Sequence, residues 1–575
     1  MPRANDAVEA TLSEYADLLS ILSKDPYKAR AYEKAARAVG GFHADIEGFS
    51  VRELQAIPNV GKSIAEKIEE CLRTGTITAL DELRAQIPAG VRDMMAVPGV
   101  GPKKAMVLHQ ELGVSSPDEL AAAVQQGALT GLKGFGKRTE ENILRGLERL
   151  QASGGRVQIG IAMDVAESLL GELEGLPQVT RAAYAGSLRR MADTIGDVDL
   201  LAAGTDAAGI MEAFTWLAAD GAVLARGDTK SSILTPKGLQ VDLRVVDPQV
   251  WGAAMIYFTG SKAHNIRIRE IAVRKRLKLS EYGLFDAKEG TLIVAETEEE
   301  VYDRLGLPWI PPTLREDRGE VEAALAGELP TLVEVADIAG DLHTHTDLTD
   351  GLATLEQMLE GARSMGYAYY AVTDHAPELY MQRMTVDKML AQRKRLSALA
   401  PRQPFEVLHG TELNIAPDGT VDWDEDFLST FDLCVASVHS HFNLPRDEMT
   451  RRLVRAIENP RVNIIGHPTT RRIGSRPPID FDEEEVYRAA ARTGTALEVN
   501  SHTDRLDLPD ERILRARRFG AKFAVDTDAH AVGHLELLRF GIGTAQRGWL
   551  TREDVINAWP LEELRRFLRK DGTAA

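Results

Sequence analysis

Residues 186–200 have the sequence GSLRRMADTIGDVDL, which contains the most informative pattern in the chain. Asp197 and Asp199 stand two residues apart, flanked by the apolar residues Val198 and Leu200. Residues two apart on a β-strand share a face, so these two carboxylates lie side by side. They repel each other unless a cation lies between them, and such hard oxygen ligands suit Mg²⁺ or Mn²⁺. The pattern predicts a strand that presents two carboxylate ligands to a divalent metal.

Two further features belong with this pair. Residues 240–244, QVDLR, place Asp242 between apolar neighbours on another predicted strand. The turn Gly186-Ser187 offers backbone N–H groups and a hydroxyl to phosphate oxygens, and Arg190 adds a cation. A lone Asp-x-Asp is usually a solvated strand edge, but the three motifs together argue against that interpretation. They predict a site that binds both metal and phosphate.

Together these motifs resemble the nucleotidyltransferase palm of family X DNA polymerases, a mixed sheet with helices. The resemblance implies that Asp197 and Asp199 bind two Mg²⁺ or Mn²⁺ ions. It implies that Asp242 binds the catalytic ion and assists deprotonation of the primer 3′-OH. Two cations then stabilise the attacking and leaving oxygens of an in-line displacement at the α-phosphate. The implied nucleotide contacts in this part of the chain are Gly186, Ser187 and Arg190.

Residues 257–261, YFTGS, look like the sugar-contacting turn of the same family, where crowding of a 2′-OH favours deoxynucleotides. Residues 262–278 are strongly basic, and a basic run beside this turn favours a DNA or nucleotide contact over a solvated helix face. Lys262 departs from the acidic residue of the animal enzyme, and we expect it to raise the affinity for the nucleoside triphosphate. The implied nucleotide contacts are Tyr257, Phe258, Gly260, Lys262 and Asn265, and the implied minor-groove contact is Arg269.

The first 150 residues show short helical patterns separated by a recurring glycine loop: PNVGK at 58–62, PGVGP at 98–102 and KGFGK at 133–137. Such a turn exposes backbone N–H groups at a helix N-terminus, where they hold a phosphate oxygen. Contacts with backbone phosphate carry no sequence information. One loop is an ordinary helix turn, but three predict helix-hairpin-helix DNA binding. The predicted phosphate contacts are Gly61, Gly101 and Gly136.

Residues 57–75 resemble the lyase domain of DNA polymerase beta and its family X relatives. The resemblance implies that Lys67 is the Schiff-base lysine and that Lys28 and Tyr32 contact the 5′-phosphate. A nucleophilic lysine must be partly neutral, which requires desolvation or a neighbouring cation. Asn59 stands where the family loop commonly has glycine. The alternative is a DNA-end-binding module in which Lys67 is a solvated helix residue.

Most of the 13 histidines lie beyond residue 340, where apolar runs alternate with amphipathic helices in a βα pattern. Polar residues close successive runs, as in DLHTH at 341–345, TDH at 373–375, GTE at 410–412 and DTDAH at 526–530. In β/α barrels the active site lies at the C-terminal edge of the strands. A single histidine is more often structural, but mixed histidine and carboxylate residues at successive strand ends predict a metal cluster.

This pattern looks like the PHP (polymerase and histidinol phosphatase) domain, a distorted β/α barrel with up to three clustered Mn, Zn or Fe ions. Such a cluster activates bound water and clamps a phosphate, which is the chemistry of phosphoester hydrolysis. Arg471 and Arg505 are candidate phosphate contacts. The implied ligands are His343, His345, Asp350, His375, Glu412, His439, His467, Asp528 and His530. Structural or solvent-exposed roles are expected for His409, His441, His502 and His534.

Length and composition fit a multidomain α+β and α/β protein. A chain of 575 residues accommodates about three to five domains. The net charge of −19 argues at first against a nucleic-acid partner, but the basic residues are concentrated at 262–278. The two cysteines exclude a disulfide framework, and we expect a cytoplasmic monomer with no membrane partner.

The expected domains are lyase-like helical (1–85), helix-hairpin-helix (86–155), palm (156–250), nucleotide- and DNA-contacting (251–315), linker (316–337) and PHP (338–575).

The resemblance implies a DNA-directed DNA polymerase that fills short gaps in repair, using gapped or nicked DNA and dNTPs. It also implies a PHP-domain 3′–5′ exonuclease, and it admits AP endonuclease, 3′-phosphatase and 5′-dRP lyase activities. Two alternatives stay open: a polymerase whose PHP domain is purely structural, and a DNA-end-binding repair protein with vestigial catalysis. The sequence leaves open which metal the PHP site takes and how the two sites are arranged.

Overall fold

The structure is a computed structural model. It describes residues 4–22, 26–40, 42, 46–57, 59–86, 91, 94, 97, 100, 102–125, 127–129, 132, 135, 139, 143, 155–217, 222–236, 238–379 and 384–570. Gly101 and Gly136 lie outside the described residues, so their phosphate contacts stay predictions. Among the described residues, no helix combines the length and apolar character needed to cross a membrane.

The N-terminal region is helical, as its sequence pattern predicts. Apolar residues recur every three or four positions along its first helix, and Val8, Leu12, Tyr15 and Leu19 are buried. In the part of this region that the structure describes, side chains from each helix named below meet in one apolar core. The helices are Ala4–Leu22, Pro26–Gly40, Val51–Leu54, Lys62–Thr74, Thr78–Gln86, Pro102–Leu112 and Pro117–Gln125.

A five-stranded mixed sheet follows, in the order β2-β4-β7-β6-β5. Its strands are β2 Val179–Tyr184, β4 Asp197–Gly204, β5 Ala222–Arg226, β6 Lys230–Leu234 and β7 Gln240–Val246; a separate antiparallel pair is β1 Val157–Gln158 and β3 Thr194–Ile195. Val198 and Leu200 point into a core shared with the helices Ile159–Glu174 and Ala207–Trp216. The alternation therefore turns Asp197 and Asp199 toward the opposite face.

The next region packs around a third apolar core, which extends to Val321 and Ala324. It contains an antiparallel sheet of three strands, β8 Leu277–Ser280, β9 Gly283–Asp286 and β10 Leu292–Val294. Its helices are Trp251–Thr259, Lys262–Arg274, Glu298–Leu305 and Glu320–Ala326.

The C-terminal region is a parallel barrel of seven strands in consecutive order, β11 to β17. A bridge between Thr344 and Ala529 joins the segments that directly follow its first and last strands, so the barrel is nearly closed. The strands are β11 Gly340–Asp341, β12 Tyr369–Val372, β13 Glu406–Asn414, β14 Leu433–Ser437, β15 Ile464–Ile465, β16 Ala496–Asn500 and β17 Phe523–Asp526. The helices are Leu355–Ser364, Val386–Leu399, Glu425–Leu428, Arg446–Ile457, Glu483–Thr493, Asp510–Arg517, Leu538–Arg547 and Leu561–Leu568. The expected fold class is confirmed.

The barrel packs directly against the mixed sheet's domain. Leu506 and Phe540 of the barrel are buried in the apolar core beneath the sheet. A Cβ added at Gly543 would lie 2.8 Å from the Cβ of Met191, which follows the turn at residues 186–190. Ion pairs between Arg471 and Asp193 (3.0 Å) and between Arg539 and Glu167 (2.6 Å) cross the same boundary. The barrel and the mixed sheet's domain therefore share a packed boundary.

Candidate active sites

Parallel pairing of β4 with β7 brings the three predicted carboxylates together. Asp199 lies directly opposite Asp242 in the register, and Asp197 precedes Asp199 on the same face. Burial and the negative charges of Asp197 and Asp242 raise the pKa of Asp199 to about 6. The three carboxylates repel one another, so a divalent cation that neutralises their charge is favoured between them.

Asp242 has partners that sequence reasoning missed. Lys230 Nζ lies 2.7 Å from its Oδ2, and Gln240 Nε2 donates to its Oδ1 at 2.8 Å. Burial favours the neutral acid, but hydrogen bonds from Lys230, Gln240 and Ser232 outweigh burial and lower the pKa of Asp242. Strand alternation alone could have indicated Gln240, which shares the face of Asp242 two residues away. Lys230 comes from β6, and its approach depends on the antiparallel pairing of β6 with β7.

The glycine-serine turn lies directly against these acids. Gly186 begins the short helix Gly186–Arg189 with a φ of +58°, a conformation that favours glycine. A Cβ at this position would collide with the carboxylate of Asp199. The turn therefore requires glycine both for its backbone conformation and for its close approach to the Asp199 carboxylate.

The two arginines after the turn have different surroundings. Arg189 pairs with Glu298 (2.8 Å), which also pairs with the buried Arg315 (2.8 Å). Arg190 donates to Glu316 Oε1 at 3.0 Å and to the Thr259 carbonyl at 2.6 Å. The predicted phosphate-binding arginine is thus held by the segment that contains YFTGS.

The predicted sugar and base contacts gather at the junction of two helices. Gly260, with a φ of +70°, ends Trp251–Thr259, and the exposed Lys262 begins the next helix. Asn265 Nδ2 donates to the Tyr257 carbonyl at 2.7 Å, while its buried Oδ1 has no hydrogen-bond partner. The Arg269 guanidinium lies 5.0 Å from the centroid of the Tyr257 ring. Phe258, next to Tyr257, is similarly covered by the guanidinium of Arg244 at 4.5 Å.

In the N-terminal region, two of the predicted lyase residues come together. Lys67 Nζ lies 5.8 Å from the centroid of the Tyr32 ring, and Tyr32 is itself buried against Tyr15. Lys28 is exposed on the helix that carries Tyr32. Gly61 is exposed at the N-terminal end of Lys62–Thr74, with an extended backbone.

The nine residues predicted at the barrel's strand ends converge into one cluster. Its potential ligand atoms form three overlapping groups, each with ligand atoms within 4.8 Å of one another. His467 joins them through Glu412, with Nε2 3.2 Å from Oε1. The three groups are His345, Asp350, His375 and His530; His343, His345 and Asp528; and His375, Glu412 and His439.

The donor chemistry of this cluster fits divalent metals. Both ring nitrogens of His345 and Nε2 of His343 are buried without a hydrogen-bond partner. Burial and the neighbouring His530 and His375 lower the pKa of His345 to about 4, and burial with Arg505 lowers that of His467 to about 3. Although burial opposes it, neighbouring carboxylates raise the pKa of His343, His375 and His530. Mixed imidazole and carboxylate ligands are the set expected for Mn²⁺, Zn²⁺ or Fe²⁺, which would take the place of these protons.

A second group of residues orients these ligands, and sequence reasoning missed it. His343 Nδ1 lies 2.6 Å from Glu498 Oε1, and Glu498 also accepts the backbone N–H of His467. Asn414 Oδ1 lies 2.7 Å from His439 Nδ1. Such contacts fix the ring orientation of metal-binding histidines. Glu498 could have been identified from the sequence because it is the single acidic residue of the apolar strand Ala496–Asn500.

The candidate phosphate arginines differ in their surroundings. Arg471 is engaged at the domain boundary, donating to Asp193 (3.0 Å) and to the carbonyls of Arg505 (2.7 Å) and Leu506 (2.6 Å). Arg505 instead has Nε 3.9 Å from Asp528 Oδ2 and a buried Nη1 with no partner. Of these two arginines, only Arg505 has an N–H donor without a partner beside the cluster of metal-ligand residues.

The remaining histidines pair with polar neighbours. His409 Nδ1 accepts from Arg393 Nε at 3.1 Å, and burial together with Arg393 lowers its pKa to about 3. His441 Nδ1 lies 3.0 Å from Ser440 Oγ. His502 Nδ1 lies 2.8 Å from Asp504 Oδ1, and its ring packs edge-on against His534.

Family models match four parts of the chain. They are a helix-hairpin-helix domain over residues 3–77, a SAM-like helix-hairpin-helix tandem over 91–149, a DNA polymerase beta thumb over 254–316 and a PHP domain over 341–502. These matches fall in the two helical regions, in the region after the central sheet and in the barrel. In the central sheet, Asp199 and Asp242 lie opposite each other on paired strands.

Curated relatives agree with these models. A DNA polymerase/3′–5′ exonuclease PolX of Bacillus subtilis (strain 168) is 34% identical over 97% of this chain and 98% of its own length. DNA polymerase lambda of Rattus norvegicus is 25% identical over 51% of this chain and 53% of its own. A probable phosphatase of Thermoanaerobacter sp. (strain X514) is 29% identical over 38% of this chain and 89% of its own. The similarity to the Bacillus protein runs from end to end, and the chain belongs to the PolX family, the family X DNA polymerases with a C-terminal PHP domain.

Proposed function

We propose that this chain is a gap-filling DNA polymerase and a 3′–5′ exonuclease with two separate phosphoryl-transfer sites. The observation that carries the proposal is the completeness of both ligand sets: three carboxylates on paired strands, and nine ligand-type residues at one rim of a barrel. The chain acts as a monomer on gapped or nicked DNA with dNTPs. The domain limits of the sequence analysis, 1–85, 86–155, 156–250, 251–315, 316–337 and 338–575, are part of the proposal.

At the polymerase site, Asp242 accepts the proton of the primer 3′-OH, and Gly186, Ser187 and Arg190 bind the triphosphate. Asp197, Asp199 and Asp242 would hold two Mg²⁺ or Mn²⁺ ions, which supply charge stabilisation to the attacking and leaving oxygens. The nucleoside contacts are Tyr257, Phe258, Gly260, Lys262 and Asn265. Arg269 contacts the minor groove.

At the barrel site, the nine ligands would hold up to three Mn, Zn or Fe ions, which supply an activated water and charge neutralisation for phosphodiester hydrolysis. Glu498 and Asn414 keep two ligating imidazoles in orientation. Arg505 offers its free guanidinium N–H to the scissile phosphate. The same chemistry serves AP endonuclease and 3′-phosphatase activities.

In the N-terminal region, Gly61, Gly101 and Gly136 present backbone N–H groups to DNA phosphates. Lys67 forms the Schiff base of a 5′-dRP lyase, while Lys28 and Tyr32 contact the 5′-phosphate. The placement of Lys67 beside the Tyr32 ring supports this assignment. Borohydride trapping of an abasic substrate on the wild type but not on Lys67→Ala tests it.

The test of the two-site proposal uses a 5′-labelled primer on gapped DNA with Mn²⁺, with and without dNTPs. It compares the wild type with Asp197→Ala/Asp199→Ala and His343→Ala/His345→Ala. We expect extension to vanish only in the first variant and shortening only in the second. If the histidine variant shortens the primer like the wild type, the barrel is structural and the exonuclease assignment is wrong.

A further inference from the structure

The turn that carries Arg190 is covered by the C-terminal barrel. Gly543, on the barrel helix Leu538–Arg547, packs against Met191, which directly follows Arg190. The next turn of this helix places Arg547 against the same segment: its Nη1 donates to the Arg190 carbonyl at 2.9 Å. A residue of the nuclease domain thus contacts the backbone of a residue in the proposed nucleotide pocket.

Arg547 also shares the acidic partner of Arg190. Glu316 Oε1 accepts from Arg190 Nε at 3.0 Å and from Arg547 Nη1 at 2.7 Å. Although burial opposes it, the two arginines lower the pKa of Glu316. The other edge of the Arg547 guanidinium donates to Asp510 at 2.9 Å, and Asp510 pairs in turn with Arg318. Arg318 also pairs with Glu511 at 3.3 Å, so three guanidinium groups alternate with three carboxylates.

The sharing of Glu316 matters for the free charge on Arg190. With Arg547 present, the Glu316 carboxylate divides its attraction between two cations, and Arg190 can turn its remaining N–H groups to a phosphate. Without Arg547, the same half-buried carboxylate has Arg190 as its remaining close cation. It would then hold Arg190 more strongly and compete with the triphosphate.

We propose that Arg547 of the barrel is a positioning residue for the polymerase reaction, which keeps Arg190 oriented and electrostatically available to the incoming nucleotide. The inference rests on the proposed polymerase function. It makes the nuclease domain part of the polymerase's nucleotide pocket, independently of any hydrolysis at the barrel's own metal site.

The test compares single-nucleotide gap filling by wild type, Arg547→Met and Arg539→Met. Arg539 lies on the same helix and also pairs across the domain boundary, but with Glu167 rather than with Glu316 or Arg190, so it is a matched control. We expect Arg547→Met to raise the KM for dNTP about fivefold to tenfold and to change kcat less than about twofold. Arg539→Met should keep both constants, and both variants should keep the exonuclease rate.

A second variant separates charge competition from damaged packing. If Glu316 captures Arg190 when Arg547 is missing, then Glu316→Gln/Arg547→Met should return the KM for dNTP to within about twofold of the Glu316→Gln value. Thermal unfolding of each variant reports on folding. A double variant as impaired as Arg547→Met overturns the inference, and so does a wild-type KM in Arg547→Met. Absence of incorporation by the wild type would instead refute the proposed function itself.

Discussion

Gly186 shows how one residue can determine whether the three palm carboxylates form a metal site. Its positive φ and its contact with Asp199 both exclude a side chain. We expect Gly186→Ala to reduce nucleotide incorporation at least about 100-fold, because the methyl group displaces a metal-binding carboxylate. Gly238→Ala is the matched control, since Gly238 also has a positive φ but open space around it. Both variants should lose about 1 kcal/mol of stability from backbone strain. Equal incorporation by the two variants would contradict the close-approach argument.

The site residues that the sequence predicts are those with a local signature. Asp197 and Asp199 are two apart on a strand, and a period of two is visible without a structure. Lys230 and Glu498 are different, because their roles depend on which strand lies beside which. Arg471 illustrates the converse: its charge and position suggested a phosphate contact, whereas its guanidinium is engaged by Asp193 and two carbonyls.

Among the elements, the junction between the sheet and the thumb-like region depends on a buried ion triad. Glu298, at the start of Glu298–Leu305, lies between Arg189 and the fully buried Arg315. Although burial favours the neutral acid, the two arginines lower the pKa of Glu298 to about 2. Its stabilising contribution is therefore complete above its unfolded-state pKa and decreases as the pH falls toward about 2.

We expect Glu298→Gln to lower the free energy of unfolding by about 3 kcal/mol at pH 7, because it leaves a buried guanidinium without its counter-charge. The difference from the wild type should shrink below about pH 4.5, where the wild-type carboxylate begins to lose its advantage. Urea unfolding at pH 7, 4.5 and 3.5 measures it. Glu270→Gln, which removes an exposed ion-pair partner, should cost less than about 1 kcal/mol. A difference that stays constant with pH would exclude the ionic explanation.

The alternating strands and helices of the barrel could also be predicted from a pattern that is local in the sequence. Strands buried on both faces are apolar throughout, and polar residues at their C-terminal ends mark the rim, so the βα repeat and the ligand cluster share one signal. The palm–barrel contact gives no such signal. Leu506 and Phe540 look like any core residues of the barrel, and only the assembled structure shows that they belong to the core beneath the other sheet.

For the whole molecule, this shared core predicts that the palm and the barrel unfold together. Phe540→Ala should lower the free energy of unfolding by about 3 kcal/mol and should reduce the thermal midpoints of gap filling and of primer shortening alike. Leu390→Ala, which alters an exposed side chain of the barrel, should change neither midpoint appreciably. Calorimetry and activity after heating provide the measurements. If Phe540→Ala lowers only the midpoint of primer shortening, the two domains are independent.

The packing of Phe540 and Leu506 also constrains how such a gene can change over generations. Separating the two domains at the gene level would expose part of the apolar core under the palm, and it would remove Arg547 from beside Arg190. Replacing a ligand such as His343 leaves Phe540 and Leu506 in place, because His343 is not part of the apolar core that contains them. Where the nuclease activity is no longer needed, we therefore expect single substitutions of its ligands to abolish it while the barrel itself is retained.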